Sequence, residues 1–377
     1  MTVPPAPASS SAPSATPSPS PSPSPAPSSS DRLASWLRRR LGRAVGVAYL
    51  LAALLPGPGV WLRGPHPSGP GPLHQLPLHI TPLLLGLVLY AAGVQVPVRA
   101  LGRLVRRPRA LLAGLALHLA APLLIVPLVA FVLRRTPDSD GGSGLVTAMI
   151  LIVAMPVAAG ATVWTGKGQG DQPTMVGLVL ASTLLSPLTV PVTVRALTPL
   201  LSGGYAGSLA AAGHASSGGF ALSGVVLPCA AGIGCRLALP ASWLRRLLTG
   251  VVPTALAGSL VLTYANASGA LTSFLAHPRP LLLAAALTVA GAVCALSFAV
   301  GRIAARALRL DAPAASSVTL ACGMNNSSAS AVLLTTALPD RPHLLLPVLA
   351  YGLFQKTAAN RVLRPRPPRA PVVRVAR

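Results

Sequence analysis

The chain contains no glutamate, only two lysines and six aspartates in 377 residues, and charged residues make up just 10% of it. A soluble domain of this size carries about a quarter charged residues. With 52% hydrophobic residues and a mean hydropathy of +0.64, the chain reads instead as an integral membrane protein. Asp31, Asp138, Asp140, Asp171, Asp311 and Asp340 all fall in tails or between apolar runs. That placement argues against a carboxylate-based proton relay in the membrane and against a metal-dependent membrane enzyme, which needs clustered acidic ligands. Cysteine is scarce as well. Cys229, Cys235, Cys294 and Cys322 lie scattered in apolar stretches with no CxxC spacing, so neither a disulfide framework nor a zinc site is expected. No phosphate-binding loop and no Ser/His/Asp constellation is present, and the chain is not expected to be an enzyme.

What is abundant is arginine, giving a formal charge of +24 and a pI near 11.9. Nucleic-acid binders combine such charge with exposed basic faces and stacking aromatics. Here aromatics are only 4% and the arginines punctuate apolar runs, so no nucleic-acid partner is expected. The charge is a topology signal, and the first partner it implies is the lipid bilayer.

Residues 1–30 are almost wholly Ser, Pro, Ala and Thr, a composition that cannot bury a core. Together with the basic segment after them they form an expected tail over 1–43, and 361–377 forms a second, basic tail. Neither the apolar core nor the cleavage site of a secretory signal is read in the first of these. Between the tails lies a transmembrane domain over 44–360. A helix needs about 20 residues to cross a roughly 30 Å hydrocarbon layer. That length predicts ten spans, at 44–62, 79–98, 110–133, 144–163, 173–194, 219–235, 247–267, 280–300, 313–338 and 343–360. The positive-inside rule supports the count. With both termini inside, the inner loops take Arg32 to Arg43, Arg99 to Arg109, Lys167, Arg236, Arg245, Arg246, Arg302, Arg306, Arg309 and the C-terminal arginines. The outer loops hold only Arg63, Arg134, Arg135, Arg195, Arg279 and Arg341.

Ten spans divide into two fives, 44–194 and 219–360, and an odd number per half requires the halves to be inverted. Inverted repeats build secondary transporters, whose sites lie where interrupted helices meet near the midplane. The fourth span is interrupted at Met155-Pro156-Val157-Ala158-Ala159-Gly160, and the ninth at Cys322-Gly323-Met324-Asn325-Asn326-Ser327-Ser328. Unpaired polar groups cost several kcal/mol in hydrocarbon, so the second cluster faces protein, water or a ligand. Two readings stand: an unwound segment that contacts substrate, or helix–helix glue through Asn and Ser hydrogen bonds. Lys356, preceded by Gln355, is the one charged residue within a span, and an intramembrane charge is a functional candidate. Its alternative is snorkelling toward Arg361. His118 sits deep in the third span, either as a hydrogen-bonded structural residue or as part of a site. Trp61 and Trp164, near span ends, read as interfacial anchors.

These residues resemble the bile acid:sodium symporter family over most of 80–360. The resemblance rests on Gly93, the basic turn Arg106-Arg107-Pro108-Arg109, the stretch from Pro156 to Asp171 and that from Thr319 to Ala329. Gly323-Met324-Asn325-Asn326 stands against the family's Gly-Met-Gln-Asn signature. It implies an all-α transporter of ten helices in two inverted five-helix repeats, divided into panel and core domains. The broken fourth and ninth helices would cross, and small organic anions would move by alternating access. On this resemblance the substrate site draws on Ala159, Thr162, His118, Asn325, Asn326, Gln355 and Lys356.

The departures concern sodium. Family members that couple to sodium hold it with a Ser-Asn pair, with Ser and Thr one helix later, with a Glu and a Gln in the ninth helix and with a third-helix Gln. Those positions are Ala161 and Thr162, Met175 and Val179, Ala321, Asn325 and His118 here. Thr162, Met324 and Asn325 are the ion-binding candidates that remain, and most side-chain oxygens are gone, which argues against coupling at the family's usual sites. No other cofactor is expected. Lys356 falls where the family has an Asn, and as a fixed cation it would replace bound sodium beside the substrate's anionic group. A non-transporting sensor or scaffold and an arsenite-type efflux permease, the latter on the strength of Cys322, are the competing functions. Two lysines against 28 arginines suggest a GC-rich bacterial gene and hence the plasma membrane.

Overall fold

The structure, a computed structural model, describes residues 29–67, 77–96, 108–134, 142–202, 204–276 and 278–362. The Ser/Pro-rich stretch 1–28, Arg99, Arg103, Arg106, Arg107, Arg135, Asp138, Asp140 and the tail from 363 onward lie outside the described residues. The helices are α1 (Ser29–Leu54), α2 (Pro56–Arg63), α3 (Ile80–Val94), α4 (Arg109–Leu133), α5 (Ser143–Val153), α6 (Ala161–Lys167) and α7 (Gln172–Leu197). They continue with α8 (Gly204–Ala215), α9 (Leu227–Ala238), α10 (Ala241–Ala276), α11 (Pro280–Ala307), α12 (Ala312–Gly323), α13 (Ser327–Ala337) and α14 (Leu345–Val362). A π-helical stretch, Ser216–Val226, joins α8 to α9 without interruption. Two three-residue strands, β1 (Pro65–Pro67) and β2 (Pro77–His79), pair antiparallel with Pro65 opposite His79.

The apolar runs of the sequence are the helices of the structure, and three details differ from the sequence expectation. The first run is not one straight span: α1 and α2 meet at a 96° bend. Pro56 removes an amide donor and clashes with the preceding turn, and it forces Leu55 out of helical geometry, to φ −134° and ψ 68°. The basic segment before residue 44 is helical, since α1 starts at Ser29. Residues 204–215, left between the two expected repeats, form α8; its Ala-rich middle favours helix even though no long apolar run marks it. Among the described residues, five helical segments are long and apolar enough to cross a membrane, six if the bent α1–α2 pair counts as one. Helices α3, α5 and α13 are apolar but shorter. Leu124, Leu128, Val132 and Leu188, all exposed along α4 and α7, are the outward apolar surface that a bilayer covers.

The helices pack in two groups. One gathers α1, α2 and α3 around α10, with α9 packed on α3, and the other packs α4, α5, α6, α7, α12, α13 and α14 with α11. Within the first group α3 and α9 touch backbone to backbone. A Cβ on Gly93 would lie 2.2 Å from the Cys229 carbonyl oxygen, and one on Gly232 would lie 2.2 Å from that of Tyr90. Only glycine permits that crossing. In the second group α5 is apolar on every side, and Leu145 through Val153 are all buried, so it runs through the middle of its group.

Candidate functional site

Two helices of the second group are interrupted, and the interruptions meet. The chain between α5 and α6 is unwound from Ala154 to Gly160, and that between α12 and α13 from Met324 to Asn326. Val157 and Asn325 pair as an antiparallel bridge. The Ala158 amide donates to the Met324 carbonyl (2.8 Å), and the Asn326 amide donates to the Pro156 carbonyl (2.9 Å). Unwinding a helix in an apolar interior strands backbone donors and acceptors, each costly when unmet. Here each break supplies partners for the other. Pro156, which has no amide hydrogen, ensures the first interruption, and Gly323 ends α12 at the second.

Side chains lock the crossing. Ser182 Oγ on α7 accepts from the Val157 amide (3.0 Å). Asn326 caps α13, its Oδ1 accepting from the Ala329 amide (3.1 Å). Asn325 Nδ2 donates to the Tyr351 hydroxyl (2.9 Å), which in turn donates to the Gly323 carbonyl (3.1 Å). His118, 5% exposed, lies within hydrogen-bonding reach of the main chain at Met155 and Ala321, beside the two breaks. Gln355 Nε2 donates to Ser327 Oγ (3.3 Å), while its buried Oε1 has no hydrogen-bond partner among the described residues.

Beside the first break a cavity of about 580 Å³ opens between the two helix groups. Its walls are mostly apolar: Val88 and Ala91 from α3, Val176, Val179 and Leu180 from α7, Val252 and Leu256 from α10. The polar lining groups are Gln95, Thr162, Gln172, Ser259 and Lys167, and among the described residues Lys167 is the one charged residue in the lining. Its ammonium rests over the Trp164 ring, 4.7 Å from the centroid. Gln172 Nε2 donates to the Thr162 carbonyl (2.9 Å), fixing that corner. Asp171 caps α7 at Thr174, and its carboxylate accepts from the Thr174 amide (3.4 Å) and hydroxyl.

The residues picked out from the sequence therefore separate. Ala159 and Thr162 line the cavity. Met324, Asn325, Asn326 and His118 surround the crossing and do not line it. Lys356 on α14 is half-buried, has no hydrogen bond or ion pair among the described residues, and does not line the cavity. Cys322 packs against Gly301, buried and likewise away from the cavity. Sequence reasoning missed Lys167, Gln172, Gln95, Ser182 and Tyr351. Lys167 offered the one usable signal, being one of two lysines and seven residues beyond the first break, yet it had been counted only as a loop charge.

The sequence of α3 through α10, residues 82–277, matches the Sodium Bile acid symporter family, just over half of the chain. The chain belongs to that family. Comparison with curated proteins gave no match. The family match takes in the first break and the cavity wall but ends before the second break. The family's name carries sodium, and the residues standing at the positions that the resemblance assigns to that ion do not fit it. Ala161, Met175, Val179 and Ala321 offer no side-chain oxygen and are all buried. The Thr162 hydroxyl is already engaged with the Ala159 carbonyl (2.8 Å), and the Asn325 amide nitrogen with Tyr351. Among the described residues no cluster of three His, Cys, Asp or Glu forms a metal site.

Proposed function

We propose that this family member is a secondary transporter of small organic anions, working by alternating access between its two helix groups, with cations of its own chain in place of bound sodium. The observation that carries the reading is the cavity between the groups, mostly apolar in its lining, with Lys167 as its cation. A substrate with an apolar body and a terminal carboxylate or sulfonate matches that distribution, and pockets of this size bury ligands of a few hundred Å³. The mutually bonded breaks support an inverted ten-span arrangement. By the loop-charge tally Lys167 faces the cytoplasm, with both termini inside and the plasma membrane as the address. In this reading the cavity is open inward, and rocking of the first helix group against the second exposes it to the other side. Lys356, unpartnered beside Gln355, is assigned as a second fixed charge, met by the anion as it passes the crossing. Asn325, Asn326 and His118 shape that passage.

The test is uptake of a panel of carboxylates and sulfonates into proteoliposomes. The expected result is saturable anion flux that a sodium gradient does not accelerate. Lys167→Gln raises KM for anions by roughly tenfold, the scale of about 1.4 kcal/mol for a lost charge-assisted contact. Lys356→Ala abolishes flux and Lys356→Arg retains it. Saturable binding without flux would favour a sensor, and unchanged flux in Lys356→Ala would remove that residue from the mechanism.

A further inference from the structure

Where α1, α6 and α14 meet, a second cavity of about 360 Å³ is lined by Arg40, Gly42, Arg43, Trp164, Lys167 and Asn360. Three cations and one amide converge there, and among the described residues no carboxylate is in the lining. Among the described residues none of the three cations is held by an ion pair. Two of them are positioned by aromatic rings. Lys167 rests on Trp164, and the Arg40 guanidinium lies 5.4 Å from the Trp36 ring centroid. Converging like charges repel, and without a counter-charge the arrangement is unfavourable. The lining also lacks the aliphatic wall of the larger cavity, so it is suited to a charged headgroup and not to an apolar body. Arginine presents a planar fork that meets two oxygens of a phosphate at once, and lysine adds a point charge. Trp36, an exposed ring, has the amphipathic character that places such residues at the membrane–water boundary, where basic pockets between helices meet anionic headgroups.

We infer that this groove binds a phosphate group, carried by an anionic phospholipid or by a soluble phosphate ester. The site is distinct from the substrate cavity and goes beyond the transport reading, with Lys167 the one residue common to both linings.

The experiment uses the purified full-length protein in neutral detergent at fixed ionic strength. One arm titrates phosphatidylglycerol against phosphatidylcholine, and the other titrates inorganic phosphate without lipid. Thermal midpoints and native mass spectrometry of retained lipid are the readouts. The expected result is saturable stabilisation by phosphatidylglycerol, by phosphate or by both, with Kd raised tenfold or more in Arg40→Gln/Arg43→Gln. Stabilisation by the lipid alone identifies a headgroup site, and by phosphate alone a soluble-ester site. Arg245→Gln/Arg246→Gln serves as the control, since both arginines are exposed on α10 away from the groove. Lys167→Gln, a single change on the opposite wall, provides a second variant should the double one fold poorly. The inference is overturned if neither probe stabilises the protein, if the groove variants bind as tightly as wild type, or if the control weakens binding equally.

Discussion

Tyr351→Phe tests the crossing most directly. Tyr351 is fully buried on α14, and its hydroxyl accepts from Asn325 Nδ2 while donating to the carbonyl of Gly323, the last residue of α12. Removing one oxygen leaves an amide and a carbonyl without that partner in a site where Asn325 is 2% exposed. A buried polar group left unmet costs about 1–3 kcal/mol, which for two groups gives an upper range of about 2–6 kcal/mol. Interhelical hydrogen bonds in membranes measure lower, about 0.6 and up to roughly 1.7 kcal/mol each, because the unfolded chain in lipid also finds partners. The expected loss is therefore about 2 kcal/mol. Reversible unfolding in mixed micelles reads it directly, and the initial rate of anion uptake shows whether the break loses its geometry too. Asn325→Leu combined with Tyr351→Phe should cost less than the sum of the single changes, since the first already removes one of the two bonds. A loss under about 0.5 kcal/mol, with strict additivity in the double variant, would refute the argument that this hydroxyl holds the crossing.

Other outcomes follow from the same geometry. Gly93→Ala and Gly232→Ala each place a methyl group 2.2 Å from a carbonyl oxygen across the α3–α9 contact, and unfolding should show losses of roughly 1–3 kcal/mol. Gly207→Ala, where nothing lies within 4 Å, should be neutral or stabilising by about 0.5–1 kcal/mol. Sodium titration of the purified protein should leave the thermal midpoint unchanged at constant ionic strength, whereas a sodium-specific rise would restore the ion sites that the donor set argues against.

Several features of this protein are decided by local chemistry, and for that reason the sequence alone determined them. Apolar runs separated by arginines dictate helices in a bilayer, because lipid leaves the backbone no other partners. Pro156 and the glycine before the Asn-Asn-Ser-Ser cluster mark the two interruptions, since each disturbs its own helix whatever surrounds it. The absence of glutamate, with the six aspartates in tails or between apolar runs, argued against a carboxylate relay in the membrane. The family resemblance was read from Gly93, the basic turn before α4, the residues between Pro156 and Asp171, and Gly323-Met324-Asn325-Asn326, the last of which lies beyond the matched residues 82–277.

What needed the tertiary structure is what depends on residues far apart in the chain. The pairing of Val157 with Asn325 joins segments more than 160 residues apart, and no local pattern specifies that a broken helix will find its donors there. Tyr351 looked like one more span residue until folding set it beneath Gly323. The sharp turn at Pro56 and helix α8 were hidden for smaller reasons. A proline at the edge of an apolar run reads equally as a kink or an end, and an Ala- and Gly-rich stretch carries little periodic signal. Lys167 shows the difference most clearly. In the sequence it is a loop charge that helps set orientation; in the fold it stands on Trp164 between two cavities, because α6 carries it to the junction of α1, α7 and α14. Composition and spacing settle what each segment is, since backbone and solvent act over a few residues. Which side chains share a cavity is settled only by packing, where contacts are made between helices and not along them.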